Sequence, residues 1–221
     1  MLTKKQIDEV LLVMEEMFPE AHCELVHRNP FELTIAVLLS AQCTDVLVNK
    51  VTKTLFQKYK NPEDYLAVPL EELEKDIKSI GLYRNKAKNI KKLCHSLIEE
   101  YGGEIPRDRD ELTKLAGVGR KTANVVVSVA FDIPAIAVDT HVERVSKRLA
   151  ICRWKDSVLE VEKTLMRKIP AQLWAKTHHQ FIFFGRYHCK AQNPQCEICP
   201  LLHLCREGKK RLKPLGRGSN E

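Results

Sequence analysis

Apolar residues recur every three or four positions along most of the chain, which is the spacing of one helix face. The pattern begins in MLTKKQIDEVLLVMEEMF, where apolar side chains are interspersed with acids, and it returns in FELTIAVLLSAQ and LEELEKDIKSI. The two-residue alternation that predicts half-buried strands is almost absent. We therefore predict an all-α protein of about ten short to medium helices, without an internal repeat array.

Capping residues mark several helix starts. Asn29 and Asn61 each precede a proline and an acid within the first turn, a combination that favours an N-cap. Asp108 with Glu111 predicts a third start, and Gly81 is expected to close the helix LEELEKDIKSI. These signals divide the chain into helices joined by short turns.

Composition adds a weak preference for an acidic partner. Lys and Arg outnumber Asp and Glu by 36 to 29 among 221 residues, so the formal net charge is +7 and a polyanion is favoured. The apolar runs IAVLL and VVV are too short to span a bilayer, and the amphipathic N-terminus does not resemble a signal peptide. A soluble cytosolic protein is expected, with REGKKRLKPLGRGSNE as a solvated basic tail.

The 8 cysteines form two groups. The scattered group, for which small buried thiols in helices are expected, is Cys23, Cys43, Cys94 and Cys152. The crowded group has the spacing C-x6-C-x2-C-x5-C and consists of Cys189, Cys196, Cys199 and Cys205. In a reducing compartment such crowding predicts a metal centre rather than disulfides. Spacing alone leaves zinc and an iron–sulfur cluster open, because thiolates bind both.

A glycine hairpin joins two helices in LTKLAGVGRKTANVVVSVAF. Two glycines one residue apart permit positive φ angles and leave no side chain against an approaching backbone. Amides of the hairpin and of the next helix start can point at a phosphate, a contact that positions a protein on DNA without reading sequence. The segment resembles the helix-hairpin-helix motif, and the basic pair after the second glycine argues against an ordinary turn. The predicted DNA contacts are Gly117, Val118, Gly119, Arg120 and Thr122.

Lys121 follows this hairpin and has two interpretations. On the hairpin alone, a further phosphate contact explains it equally well. However, a lysine in the first turn of a helix lies at the positive end of the macrodipole, and partial burial would act in the same direction, so the neutral amine is favoured. A neutral amine is a nucleophile that can form a Schiff base with a sugar carbon. Lys121 is therefore a candidate nucleophile.

Asp139 ends the apolar stretch of AIAVDTHVERV and precedes a new helix. Thr140 and Glu143 are expected to form the capping box of that helix, which spares the Asp139 carboxylate for chemistry. The carboxylate could take the proton from Lys121 or stabilise positive charge that develops on a sugar.

The hairpin, a Gly/Pro-rich spacer and the aspartate together resemble the signature of a superfamily of DNA glycosylases. Within it, the lysine of GVGRKTAN and the aspartate of AVDTHV are similar to those of the endonuclease III family, which combines glycosylase and abasic-site lyase activities. The resemblance extends from LLSAQCTD to the C-terminal cysteines. It implies two helical domains with DNA in the cleft between them. These are a six-helix domain over 22–132, with the helix-hairpin-helix near 108–131, and an iron–sulfur domain formed by 1–21 and 133–221.

The resemblance also implies roles for side chains outside the hairpin. Because the sugar carbon lies within a stacked duplex, such enzymes rotate the damaged nucleotide into a pocket and fill the gap with side chains. Gln42 is implied to fill the space opposite the orphaned base, and Leu82 to intercalate. Without the resemblance they would be interpreted as a polar residue at a helix end and a core leucine. Asp45 and His141 are candidates for the pocket.

The implied cofactor is a [4Fe-4S] cluster, because the family binds one through this cysteine spacing. A loop held by the four cysteines of 189–205 can present cations such as Lys190 to phosphates without a large core. The implied partner is double-stranded DNA with oxidised pyrimidines or abasic sites. A monomer is expected, in the cytoplasm and on the nucleoid if the source is a bacterium.

Two other kinds of protein stay open at this point. A monofunctional relative such as the adenine glycosylase shares the hairpin, the aspartate and the cysteine spacing, but it lacks a lysine at the position of Lys121 and carries a further mismatch-sensing domain. A non-enzymatic DNA-binding module with structural zinc would use the hairpin for phosphates. Asp139 argues against that module, because a pure phosphate binder has no reason to place a carboxylate near DNA.

Overall fold

The computed structural model describes residues 1–212, and over these residues it contains 12 α-helices, one 3₁₀ turn, one π-helical turn and no strand. The all-α prediction is confirmed. In chain order the helices are α1 (Lys4–Met17), α2 (Pro30–Ser40), α3 (Asp45–Lys58), α4 (Pro62–Ala67), α5 (Leu70–Asp76), α6 (Tyr83–Tyr101), α7 (Arg109–Leu112), α8 (Arg120–Ala130), α9 (Thr140–Arg148), α10 (Val158–Lys168), α11 (Trp174–Phe183) and α12 (Arg206–Arg211). No helix in this part of the chain has the length and apolar character needed to cross a bilayer.

The chain divides into two compact units. One consists of residues 23–137, and the other joins 1–22 to the chain from Val138 onward. Ala135 and Ala137 are buried in the core of the first unit, which therefore extends past the end of α8. The boundary between residues 132 and 133, which the family resemblance implies for the two domains, stays a prediction.

The capping signals perform as predicted at three helix starts. The side chains of Asn29, Asn61 and Asp108 accept hydrogen bonds from amides in the first turns of α2, α4 and α7. The predicted end of α5 is wrong, because the helix ends at Asp76 and Gly81 lies instead in the turn before α6.

Helix α2 forms the centre of the unit 23–137. Every residue from Phe31 to Leu39 is buried, and α2 contacts α3, α6 and α8. Apart from Glu32 and Thr34 these side chains are apolar, and a helix that is apolar on nearly every side is stable in an interior, because little of its surface gains from contact with water. The C-terminal end of α2 and the N-terminal end of α8 are thereby attached to the same core.

In the second unit, α1 packs with the C-terminal half of the chain. The Leu2 amide donates to the Ala150 carbonyl at 3.0 Å, and Lys168 Nζ donates to the Leu2 carbonyl at 2.7 Å. Gln180 Nε2 donates to a Glu15 carboxylate oxygen at 2.8 Å. These contacts join the N-terminal segment to the C-terminal half of the chain, a pairing that sequence periodicity could not reveal.

The predicted basic tail is partly wrong. Residues 206–211 form α12, whose start is capped by Cys205: its sulfur accepts a hydrogen bond from the Gly208 amide at 3.2 Å. Gly208 is buried, and a Cβ there would lie 2.9 Å from Leu202 Cδ1, so the helix packs closely on the cysteine segment. The rest of the tail, 213–221, lies outside the described residues.

Candidate active site and metal centre

The two hairpin glycines have different roles. Gly117 adopts φ +79°, the left-handed region, and a Cβ there would lie 2.9 Å from Leu38 Cδ1 and 3.1 Å from Asn89 Cβ. Gly119 adopts φ −89° and caps α8, so only Gly117 uses the positive φ that glycine permits. A Cβ on Gly119 would meet no heavy atom within 4 Å. The first intrahelical hydrogen bond of α8 runs from the Ala123 amide to the Gly119 carbonyl at 2.9 Å, and the space before this helix start is open to an anion.

The other predicted phosphate contacts divide into two kinds. Arg120 is exposed and Thr122 is half-buried, both in the first turn of α8. Val118 is only 4% exposed, and its amide donates to the Leu115 carbonyl at 3.1 Å. The DNA contact predicted for Val118 stays a prediction; in the structure its side chain packs in the core and its amide closes the hairpin.

Lys121 is the second residue of α8, as predicted, and its side chain is exposed. Partial burial therefore does not act on this amine, because α8 turns Ala123 and Asn124 towards the core and leaves Lys121 at the surface. The position at the helix start is correct.

Asp45 and Lys121 share surroundings in this unit. Burial raises the pKa of the Cys23 thiol, a hydrogen bond with the Leu25 backbone lowers it, and the carboxylate of Asp45 and the ammonium of Lys121 then raise and lower it respectively. Both charges therefore act on one sulfur. Asp45 is half-buried at the first position of α3. One pocket candidate and the candidate nucleophile therefore both act electrostatically on Cys23.

Gln42 and Leu82 lie in adjacent loops with unusual backbones. Both are exposed, and both adopt the left-handed conformation that is uncommon without glycine, with φ 56° at Gln42 and φ 59° at Leu82. A Cβ on Gly81 would lie 3.7 Å from the Gln42 carbonyl oxygen. Backbone strain of this kind persists where the surroundings hold it in place, and it is concentrated at functional sites.

Asp139 itself caps α9. Its Oδ1 accepts hydrogen bonds from the His141 amide at 2.9 Å and the Val142 amide at 2.8 Å. The predicted capping box of Thr140 and Glu143 is wrong, because Thr140 is already the first helical residue. Both bonds end on Oδ1, so the helix start orients the carboxylate while Oδ2 can serve a second partner.

His141 is half-buried against the π-helical turn Phe184–His188. The Nδ1 atom of His141 lies 3.2 Å from Arg144 Nη2, and a Cβ built on Gly185 would lie 2.9 Å from the Cβ of His141. Burial lowers the pKa of His141, the carboxylate of Asp139 raises it and the cation of Arg144 lowers it. His141 therefore belongs to the immediate surroundings of Asp139.

The four crowded cysteines line one half-open cavity, together with Arg148 and Phe184. Burial and, to a smaller extent, the neighbouring sulfurs raise the pKa of the Cys199 thiol to about 11, against a hydrogen bond with the Leu201 backbone that lowers it. A coordinated metal would offset this repulsion, because it binds thiols as thiolates. Among residues 1–212 no three His, Cys, Asp or Glu side chains form a site for a single ion; the sulfurs instead line a shared space. Four thiolates around a shared space are a donor set for an iron–sulfur cluster.

Arg148 lies beside this cavity and was missed by sequence reasoning. It is 6% exposed, and its Nη1 lies 3.4 Å from Cys189 Sγ and donates to the Lys190 carbonyl at 2.6 Å. A buried cation needs a negative partner, which thiolates supply. In VERVSKRLA it is one of several cations near a helix end, so no sequence signal distinguishes it.

Two family models match the chain. Residues 35–171 match the HhH-GPD superfamily of base excision DNA repair proteins, and residues 189–205 match the iron–sulfur binding domain of endonuclease III. The fold and the site therefore define a base excision repair protein. Endonuclease III of Bacillus subtilis (strain 168) is 78% identical over 213 residues, which is 96% of this chain and 97% of the relative. The chain belongs to the endonuclease III family.

More distant relatives and solved structures agree. Endonuclease III of Escherichia coli (strain K12) is 47% identical over 89% of this chain and 93% of its own length. A structure of a trapped endonuclease III–DNA covalent intermediate has a TM-score of 0.95 at 77% identity, over 96% of this chain and all of the other. A thermostable thymine-DNA glycosylase has a TM-score of 0.82 at 28% identity, over 94% and 97% of the two chains.

Family membership decides between the three interpretations of the sequence. The chain is a base excision repair DNA glycosylase with abasic-site lyase activity, and its iron–sulfur binding domain holds a [4Fe-4S] cluster. The family resemblance is confirmed, and both the zinc-bearing module and the monofunctional relative are excluded.

The hairpin glycines give a first prediction. Gly117→Ala is expected to lower the free energy of unfolding by about 1–3 kcal/mol, because of its positive φ and its contacts with Leu38 and Asn89. Gly119→Ala is expected to change that free energy by less than about 0.5 kcal/mol but to weaken DNA binding, because the methyl group occupies the open space before α8. Denaturant unfolding and DNA titration at one salt concentration measure both effects. Equal destabilisation by the two variants would contradict the assignment.

Proposed function

We propose that this enzyme removes oxidised pyrimidines from double-stranded DNA and then cleaves the strand at the abasic site, with Lys121 as the nucleophile. The observation that supports this most strongly is the position of Lys121, exposed in the first turn of α8 directly behind the open hairpin. An amine at this position can be reached by a sugar carbon, and a Schiff base then links both reactions to one residue. The 77% identical structure with a trapped covalent intermediate supports the same chemistry.

In the proposed reaction, Asp139 accepts a proton from Lys121 through Oδ2, while Oδ1 stays bonded to the α9 amides. Lys121 Nζ attacks C1′ of the extruded nucleotide, and the glycosidic bond breaks as the base leaves with the bonding electrons and takes up a proton. Opening of the sugar ring gives the Schiff base. Loss of a C2′ proton then breaks the C3′–O bond and releases the 3′ phosphate. Water hydrolyses the imine, which frees an unsaturated aldehyde and the lysine.

DNA is held and opened by exposed groups in the proposal. Gly117, Gly119, Arg120 and Thr122 contact phosphates from the hairpin and the α8 start, which fixes position without reading sequence. Gln42 fills the space opposite the orphaned base, and Leu82 enters the base stack. The 57% exposure of Leu82 supports this role, because an apolar side chain held in water is available to insert between bases.

Asp45 and His141 are proposed to face the extruded base. Oxidised pyrimidines carry ring N–H and carbonyl groups, which a carboxylate and an imidazole can recognise through hydrogen bonds. We expect single-turnover excision of an oxidised pyrimidine to be at least about tenfold faster than that of an oxidised purine in the same duplex context. Excision of both at similar rates would overturn the substrate assignment.

We also propose that the enzyme is a monomer and that it acts in the cytoplasm, on the nucleoid. Light scattering tests the oligomeric state, and fractionation of cells tests the location.

Cys189, Cys196, Cys199 and Cys205 are proposed as the cluster ligands. The cluster has a structural role in this proposal, since it holds the loop that presents the exposed Lys190 to DNA. Arg148 assists by donating to the carbonyls of Lys190 at 2.6 Å and Ala191 at 3.0 Å. The chemistry that the cluster supplies is the neutralisation of four clustered thiolates.

The ligand assignment predicts different results for two cysteine classes. The purified protein is expected to absorb broadly in the visible range, and Cys199→Ser to lose this absorption, iron and part of its DNA affinity. Cys152→Ser is the matched control, because Cys152 is buried but lies outside the cavity formed by the four cysteines. It should keep its iron. Loss of the cluster with full retention of fold and DNA affinity would contradict the structural role.

A further inference from the structure

Lys86 is a buried lysine whose contacts join the loops of Gln42 and Leu82. It is only 5% exposed, which is rare for lysine. Its Nζ donates to the Leu39 carbonyl at 2.9 Å and to the Ala41 carbonyl at 2.6 Å. These carbonyls lie at the C-terminal end of α2, where intrahelical partners are lacking and the helix dipole favours a cation.

The main chain of Lys86 belongs to the second loop. Its amide donates to the Leu82 carbonyl at 3.1 Å, which is the first hydrogen bond of α6. Its ammonium meanwhile binds the residue directly before Gln42. One residue therefore connects the two left-handed positions, at φ 56° and φ 59°, and the Gly81–Gln42 approach brings the same loops together.

We propose that Lys86 is a positioning residue for base extrusion. It holds the loops of Gln42 and Leu82 in one arrangement, so that both side chains enter the duplex together when the nucleotide leaves. This inference rests on the proposed roles of Gln42 and Leu82. Strained backbones persist only when their surroundings hold them. Two loops that moved independently would also have to be ordered during binding, which weakens or slows it.

Helix α6 contains a second lysine with the same chemistry and no link to these loops. Lys91 Nζ donates to the carbonyls of Leu66, at 3.2 Å, and Val68, at the end of α4. Lys91 is half-buried. Lys86→Met and Lys91→Met therefore both remove an ammonium that caps a helix C-terminus in the same unit, but only the first releases the loops of Gln42 and Leu82.

The experiment compares two substrates for each variant. One is a duplex with a damaged pyrimidine, which requires extrusion, and the other is a single-stranded abasic oligonucleotide, which does not. Lys86→Met is expected to slow single-turnover excision from the duplex by about 10- to 100-fold, because misplacement by about 1 Å has that effect. The rate at which Lys86→Met cleaves the single-stranded abasic oligonucleotide should stay within about twofold of the parent rate. For Lys91→Met, the rates on both substrates should stay within about twofold of the parent.

Fluorescence of 2-aminopurine beside the lesion adds a direct readout, and its rise on extrusion should be slowed by Lys86→Met alone. Equal losses on the two substrates, or equal losses in the two lysine variants, would overturn the inference. If circular dichroism shows that Lys86→Met is unfolded, Lys86→Arg replaces it. Because the larger guanidinium displaces both loops, Lys86→Arg is also expected to slow excision from the duplex and to leave cleavage of the single strand unchanged.

Gln42→Ala and Leu82→Ala in the same assays separate the two proposals. If neither variant lowers duplex excision selectively, the roles assigned to Gln42 and Leu82 fail. If both do and Lys86→Met does not, only the positioning role of Lys86 fails.

Discussion

Lys121→Gln is expected to abolish borohydride trapping of the enzyme on abasic DNA and to lower single-turnover strand cleavage by about 10⁴-fold or more. Glutamine has a similar length but no nucleophilic amine, so no Schiff base can form. DNA affinity should fall by less than about tenfold, because a single cation near the phosphates is lost. Denaturing gels after borohydride treatment measure trapping, and titration with a labelled abasic duplex measures affinity.

Arg120→Gln is the matched control for this variant. Arg120 precedes Lys121 at the first position of α8 and is also exposed. It should bind DNA more weakly than the parent and still be trapped. If Lys121→Gln were trapped like Arg120→Gln, Lys121 would be a phosphate contact and another amine would be the nucleophile.

Asp139→Asn is expected to slow base excision by about 10²- to 10⁴-fold while it leaves the fold intact, because the amide cannot accept the lysine proton. Asparagine is as good an N-cap as aspartate, so the free energy of unfolding should change by less than about 0.5 kcal/mol. Asp139→Ala should lose activity to the same extent and also about 1 kcal/mol of stability, since α9 then lacks its cap. Single-turnover excision and urea unfolding measure the two quantities separately.

Thr140→Ala tests the capping assignment independently. Because Asp139 caps α9, this variant should keep both stability and activity close to those of the parent. Near-normal excision by Asp139→Asn would show that the carboxylate only caps the helix.

Most of the helix starts that the sequence predicts correctly depend on a few consecutive residues. The N-caps at Asn29, Asn61 and Asp108 were predictable, because a cap depends on a few consecutive residues. The start of α8 at the hairpin was predictable for the same reason. The cap of α9 was predicted one residue too late, because Asp139 and Thr140 are both good caps and only the backbone distinguishes them.

The sequence by itself determined the helical class, the hairpin with Lys121 behind it and the cysteine spacing, because each is encoded by residues close together in the chain. Only the tertiary structure decided which backbones are left-handed and which buried cations contact the end of α2 and the cysteine segment. Lys86 reaches Ala41 across 45 residues, and Arg148 reaches Cys189 across 41. Such contacts arise when distant helices pack on a shared core, and the sequence near either partner carries no sign of the other.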